Sequence, residues 1–133
     1  MATAVRPLRV TLQDMAELPR ARHSLANWLG QVRLAENVAA DLVTAAGELC
    51  ANAIRAARSK AELTARVEAH SVVVEVVDDG ESADIELPEE PPSPLVESGR
   101  GLYLVRQLVD VLWIRQLPNG RGTKATFARR LDA

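Results

Sequence analysis

The segment spanning residues 36–57 most constrains what this chain can fold into. It is rich in alanine and leucine, and its apolar residues recur at helical spacing along one face: Val38, Leu42, Ala46, Leu49, Ala53 and Ile54. This pattern predicts an amphipathic helix of about five or six turns. Such a helix must bury its apolar face against a second layer.

Two pairs of strand-like segments supply that layer. Residues 61–69 alternate apolar and polar side chains, and the β-branched run at 72–77 ends at Asp78-Asp79-Gly80. Together they predict a β-hairpin. A second pair is predicted at 111–117 and 123–129, joined by a turn rich in glycine with one proline.

The remaining segments complete the pattern. Residues 9–12 predict a first strand, a helix is predicted from Pro19 to just before Gly30, and residues 102–109 predict a short third helix. The order strand, helix, helix, strand, strand, loop, helix, strand, strand predicts an α+β two-layer sandwich. We expect one mixed, mostly antiparallel sheet with the helices on one face.

Composition and charge narrow the function classes. The 133 residues are enough for a single domain, 1–133, whose core we expect to include Trp28, Trp113 and the lone Cys50. Sixteen basic and eighteen acidic residues give a net charge of −2, which argues against direct nucleic-acid binding or a membrane-surface role.

The cysteine content and the lack of a long apolar segment indicate the cellular compartment. A single cysteine forms no internal disulfide, and no apolar stretch of about 18 residues occurs. We therefore expect a cytoplasmic protein without a signal peptide.

A polar stripe runs along the long predicted helix. Its residues are spaced by three or four positions: Asp41, Thr44, Glu48, Asn52 and Arg55. A solvated helix face explains the stripe. A carboxylate and a carboxamide one turn apart could also hold a hydrated cation and activate a hydroxyl or water.

Three loops carry most of the glycines. Asp78-Asp79-Gly80 follows a strand, Gly99-Arg100-Gly101 precedes a helix, and Gly122-Thr123 opens the last strand. The first is an ordinary strand-ending turn or a carboxylate at the sheet edge, and the second is a hinge or a phosphate cradle. Between them, residues 81–98 hold four prolines and six acidic residues without lysine or arginine, which predicts a long lid loop.

The order of these motifs resembles the GHKL ATP-binding superfamily, which includes gyrase, histidine kinases and MutL. The motifs are Glu48-Leu-Cys-Ala-Asn52, Asp78-Asp-Gly80, Gly99-Arg-Gly101-Leu102 and Gly122-Thr123. The short length and the run Gly-Arg-Gly-Leu-Tyr-Leu-Val are most similar to the anti-sigma-factor and serine-protein-kinase (RsbW-like) branch, in its actinobacterial form. The resemblance covers about residues 18 to 129.

The resemblance implies a role for each motif, with ATP and Mg²⁺ as cofactors. Glu48 would be the general base and Asn52 would ligate Mg²⁺. The residues that would wrap the phosphate groups are Gly99, Arg100 and Gly101, and Leu102 would be a further nucleotide-binding residue. In the adenine pocket, Asp78 would accept a hydrogen bond from the adenine amino group. Gly80 would give the adenine room, and Thr123 would complete the pocket. Residues 81–98 would form the ATP lid.

The function that the resemblance implies is an anti-sigma factor that phosphorylates a serine of an anti-anti-sigma protein of the STAS type. Its partners would be a sigma factor, that STAS protein and a second copy of this chain in a homodimer. Ser82 replaces the usual second glycine of the Asp-x-Gly-x-Gly motif. Two alternatives therefore stay open: a nucleotide-binding regulator that sequesters its partner without useful catalysis, and an adaptor that binds no nucleotide.

Overall fold

The structure of the chain, a computed structural model, describes residues 5–80 and 100–131. Five strands lie at β1 (Leu8–Leu12), β2 (Ala61–Glu68), β3 (Ser71–Asp78), β4 (Val111–Gln116) and β5 (Thr123–Arg130). The helices are α1 (Leu18–Leu29), α2 (Glu36–Ala56) and α3 (Arg100–Leu108), with single 3-10 turns at Met15–Glu17 and Pro118–Gly120. Each predicted strand and helix is present, and the predicted lid loop at 81–98 lies outside the described residues.

The strands form one open sheet in the order β1-β2-β3-β5-β4. Within the described residues every strand pairing is antiparallel. The hairpins β2–β3 and β4–β5 are those predicted from the alternating segments. The fold is therefore the predicted α+β sandwich, in a fully antiparallel form over the described ranges.

The core lies between the sheet and the helices and is aliphatic. On β3, Val72, Val74 and Val76 are buried, whereas the residues between them are only half-buried. Phe127 of β5 is fully buried in the same layer. Alternate side chains of a strand point to opposite faces, so the helices cover one face of the sheet.

The two tryptophans differ, and the expectation for one of them was wrong. Trp28 is buried, and its indole Nε1 donates a hydrogen bond to the Arg6 carbonyl at 2.6 Å. Trp113 is 53% exposed. It lies on the edge strand β4 directly after the buried Leu112, so strand alternation directs it away from the helix layer.

The start of α3 also differs from expectation. Arg100 and Gly101 form the first turn of the helix instead of a loop before it. In the parts of the chain that the structure describes, no helix has the length and apolar character needed to cross a membrane.

Candidate functional site

Asp78 is the last residue of β3, and it faces the helix layer. Strand alternation places Asp78 on the same side as Val72, Val74 and Val76, and Asp78 is only 6% exposed. Thr123, the first residue of β5, is its directly paired neighbour and is 9% exposed. Across residues 5–80 and 100–131 these two are the buried polar residues. Both were site predictions from the sequence.

The surroundings of Asp78 oppose its ionisation. Burial raises the pKa of this carboxyl, and the neighbouring charge of Asp79 raises it further. The backbone N–H groups of Gly80 and Thr123 act in the opposite direction and lower the pKa, with the Gly80 nitrogen 2.9 Å from Oδ1. A carboxylate has about four acceptor positions, so this buried group can accept a further hydrogen bond from a bound ligand beside those from the two backbone N–H groups.

Two glycines allow the chain to pass closely around Asp78. A Cβ at Gly80 would overlap the carbonyl oxygen of Ala56, the last residue of α2. A Cβ at Gly122 would overlap the carbonyl oxygen of Asp78, and Gly122 also has a φ of +134°, which side-chain-bearing residues rarely adopt. The end of α2, the end of β3 and the start of β5 therefore meet at one place.

Glu48 lies in the middle of α2 and faces α3. Its carboxylate oxygen Oε2 occupies the space that a Cβ of Gly101 would need. Gly101 is in the first turn of α3, and Leu102 follows it, half-buried. The partial positive charge of a helix N-terminus favours a carboxylate at this position.

Asn52 lies one turn after Glu48 on α2 and is half-buried. Its side-chain oxygen Oδ1 accepts a hydrogen bond from Nη1 of Arg55 at 3.0 Å. A carboxamide oxygen has two lone pairs, so Oδ1 keeps one acceptor position for another ligand. The polar stripe predicted on this helix is thus connected by a hydrogen bond at its C-terminal end.

Helix α2 joins the two groups of site residues. Glu48 contacts α3, and eight residues later Ala56 contacts Gly80, which corresponds to about 12 Å along the helix axis. The structure therefore places Asp78, Gly80 and Thr123 at one end of this helix segment and Glu48, Gly101 and Leu102 at the other. Gly99 lies outside the described residues, and so does the side chain of Arg100.

Sequence reasoning missed the role of Asp79. Its carboxylate accepts hydrogen bonds from the backbone N–H groups of Arg58 at 2.9 Å, Ser59 at 3.0 Å and Lys60 at 3.2 Å, and from the Ser59 hydroxyl. The signal in the sequence was the second aspartate of Asp78-Asp79-Gly80, which a turn alone does not require.

A family model for the histidine kinase-like ATPase domain matches residues 11–128 of this chain. A comparison with curated proteins gives no significant match. The match spans most of the chain and includes the residues of α2, the end of β3, the start of α3 and the start of β5.

Solved structures show the same fold at low identity. The structure of the RsbU and RsbW domains of Rv1364c from Mycobacterium tuberculosis is similar over 95% of this chain, with a TM-score of 0.71 and 23% identity, and this chain spans 32% of that one. The catalytic domain of the histidine kinase ThkA is similar over 93% of this chain and 97% of its own length, with a TM-score of 0.57 and 19% identity.

A histidine kinase domain from Erythrobacter litoralis, of the blue-light-activated kinase EL346, is similar over 98% of this chain and 70% of its own length, with a TM-score of 0.56 and 21% identity. The GHKL resemblance read from the motifs is thus confirmed by the family model and by the fold. This chain belongs to the histidine kinase-like ATPase domain family.

Proposed function

We propose that this chain is an ATP- and Mg²⁺-dependent protein-serine kinase that acts on a STAS-type anti-anti-sigma protein and also binds a sigma factor. One observation carries the proposal. The half-buried carboxylate of Glu48 lies against the first turn of α3, while the buried carboxylate of Asp78 lies near the other end of the same α2 segment. In this proposal Glu48 is the base and Asp78 the recognition group, on opposite sides of one site.

The residues around Asp78 suit the adenine ring, a purine that carries an amino group. Asp78 is a buried acceptor, and an exocyclic amino group is a donor that would satisfy it. Gly80 and Gly122 leave no side chain above the backbone next to this carboxylate. Thr123 adds a buried hydroxyl, which can both donate and accept.

The residues on the phosphate side suit a triphosphate with its cation. Mg²⁺ in proteins is usually held by one or two oxygen ligands, phosphate oxygens and water. Asn52 offers one such oxygen, and the described residues include no cluster of three or more histidine, cysteine, aspartate or glutamate side chains that could hold a metal alone. We assign phosphate contacts to Gly99, Arg100 and Gly101, and a further nucleotide contact to Leu102; the last three of these residues form the start of α3.

Bound ATP would supply the phosphoryl group for transfer. Glu48 would accept the proton of the attacking serine hydroxyl, since a carboxylate within reach of that hydroxyl can act as its base. Asn52 would orient the cation, and the N-terminal turn of α3 would offset negative charge on the phosphates. The contribution of this chain is positioning and charge stabilisation, with one proton transfer.

Partner switching follows from the same proposal. A kinase that binds a sigma factor and phosphorylates its STAS-type antagonist would regulate transcription in the cytoplasm. We propose that the chain acts as a homodimer. The RsbW domain named in the mycobacterial structure has the same fold as this chain.

The test is transfer of labelled phosphate from Mg-ATP to a STAS-domain protein encoded beside this chain. Glu48→Gln keeps the shape and helix propensity of the residue and removes the proton acceptor. We expect transfer to fall by on the order of 10²-fold or more, with little change in nucleotide affinity. The exposed Gln107→Ala on α3 is the matched control and should leave transfer unchanged.

The same experiment separates the alternative. If the wild-type chain binds Mg-ATP and a sigma factor but transfers no phosphate to any such STAS protein, it is a nucleotide-binding regulator that sequesters its partner. The proposed kinase activity would then be wrong.

A further inference from the structure

We propose that Asp79 is a positioning residue for adenine recognition, because it ties the α2–β2 connection to the end of β3 and so fixes Asp78 relative to α2. This inference rests on the proposed function and extends it to a residue outside the proposed nucleotide contacts. Asp79 directly follows β3, and its carboxylate is bonded to residues 58–60 of the α2–β2 connection.

The tether consists of the hydrogen bonds between the Asp79 carboxylate and residues 58–60, and these are numerous for one side chain. Oδ1 of Asp79 accepts hydrogen bonds from the backbone nitrogens of Arg58, Ser59 and Lys60 at 2.9, 3.0 and 3.2 Å. Oδ2 accepts one from the Ser59 hydroxyl and a second, longer one from the Lys60 nitrogen at 3.3 Å. Three consecutive residues of the connection are therefore held by a single carboxylate.

The location of the tether gives it a consequence for the site. The connection leaves α2 at Ala56, and the carbonyl oxygen of Ala56 lies against Gly80. The β3 end is thus held to the α2 end twice, by the Asp79 hydrogen bonds and by the Gly80 contact, and both lie directly after Asp78 in the chain. Without the first, Asp78 can shift against α2, which carries Asn52 and Glu48.

The tether persists at neutral pH. The Ser59 hydroxyl and the three backbone N–H groups hold the pKa of Asp79 well below its usual range. The carboxylate is therefore ionised under ordinary conditions, and charge-assisted hydrogen bonds of this kind are stronger than neutral ones.

The experiment measures dissociation constants for Mg-ATP and Mg-GTP by calorimetry on the full chain. Guanine presents a carbonyl oxygen where adenine presents its amino group, so the ATP-over-GTP ratio reports how well Asp78 is placed. We expect Asp79→Ala to weaken ATP binding by about tenfold and GTP binding by less than about twofold, so that the ratio falls about fivefold or more. Asp79→Asn keeps one oxygen acceptor and should recover most of the ratio.

Asp110→Ala is the matched control. Asp110 Oδ2 also accepts a backbone hydrogen bond, from the Arg130 nitrogen at 2.6 Å, where β4 begins and β5 ends. This variant removes a carboxylate–backbone hydrogen bond away from the α2 end, so it should lower the melting temperature without changing the ATP-over-GTP ratio.

The outcomes are distinct. An Asp79→Ala chain that is less stable but keeps the wild-type ratio would make Asp79 merely structural and would overturn the inference. An equal loss of ATP and GTP affinity would do the same. If the wild type binds neither nucleotide, the proposed function fails and this inference fails with it.

Discussion

The carboxylate of Glu48 on α2 approaches Gly101 on α3 so closely that its Oε2 takes the space that a Cβ at Gly101 would fill. A side chain at this point of α3 would make the Glu48 carboxylate shift. The contact joins a helix-borne carboxylate to a motif that the sequence assigns to phosphate binding, although the two are more than fifty residues apart along the chain.

Gly101→Ala should separate catalysis from stability. The added methyl group displaces the Glu48 carboxylate, and a misplacement of about 1 Å can cost about 10²-fold in rate. Alanine is about 1 kcal/mol better than glycine in a helix, so the free energy of unfolding should change little or rise. Phosphate transfer and urea denaturation of the same preparation measure the two effects. Transfer at the wild-type rate would show that the Glu48–Gly101 contact has no part in catalysis.

Asp78→Asn should stabilise the chain and weaken adenine recognition. Burial raises the pKa of Asp78, so its ionised form costs folding stability above that raised pKa. Asparagine removes the charge and should raise the melting temperature at pH 7, and the difference should shrink as the pH falls through the raised pKa. Nucleotide affinity should drop by about 1 to 3 kcal/mol, since a buried acceptor is altered. A variant that is less stable than the wild type at pH 7 would contradict the claim that the ionised, buried Asp78 destabilises the folded chain.

Asp79 should make the chain sensitive to acid. Its pKa is held low by hydrogen bonds from Ser59 and its neighbours, so its stabilising contribution is fully present above about pH 4 and is lost as the pH falls through the folded-state pKa. Urea denaturation at pH 7 and pH 3 should show a smaller loss of stability for Asp79→Asn than for the wild type. Equal losses for both chains would mean that the tether does not contribute.

Cys50 should be inert while the chain is folded. It is buried on α2, and burial raises the pKa of its thiol to about 12. The thiolate is the reactive form, so alkylation at pH 8 should be slow in the native chain and fast in denaturant. Rapid native labelling would show that this part of α2 opens readily.

The sequence was informative wherever one pattern decided the structure. The apolar face of α2 and the alternation of β2 predicted their elements because a single periodicity fixes which side is buried. The position of Asp78 at the sheet edge was also predicted, since this residue directly follows a β-branched strand. These features depend on neighbours along the chain.

The parts that were missed depend on distant contacts. Trp113 was expected in the core because of its size, but its exposure depends on β4 being an edge strand with one uncovered face. The tether from Asp79 to residues 58–60 crosses about twenty positions of sequence, and no periodicity signals it. The residues that match the GHKL motifs indicated the candidate site, whereas the Asp79 hydrogen bonds could be found only from the fold.

The most direct measurement is a calorimetric titration of the full chain with ATP in the presence of millimolar Mg²⁺, with Asp78→Asn titrated in parallel. Saturable heat from the wild type, with binding that weakens at least about tenfold in the variant, is the expected result. No heat and no thermal shift from the wild type at millimolar Mg-ATP would contradict nucleotide binding at this site, and with it the proposed kinase and the nucleotide-binding regulator alike.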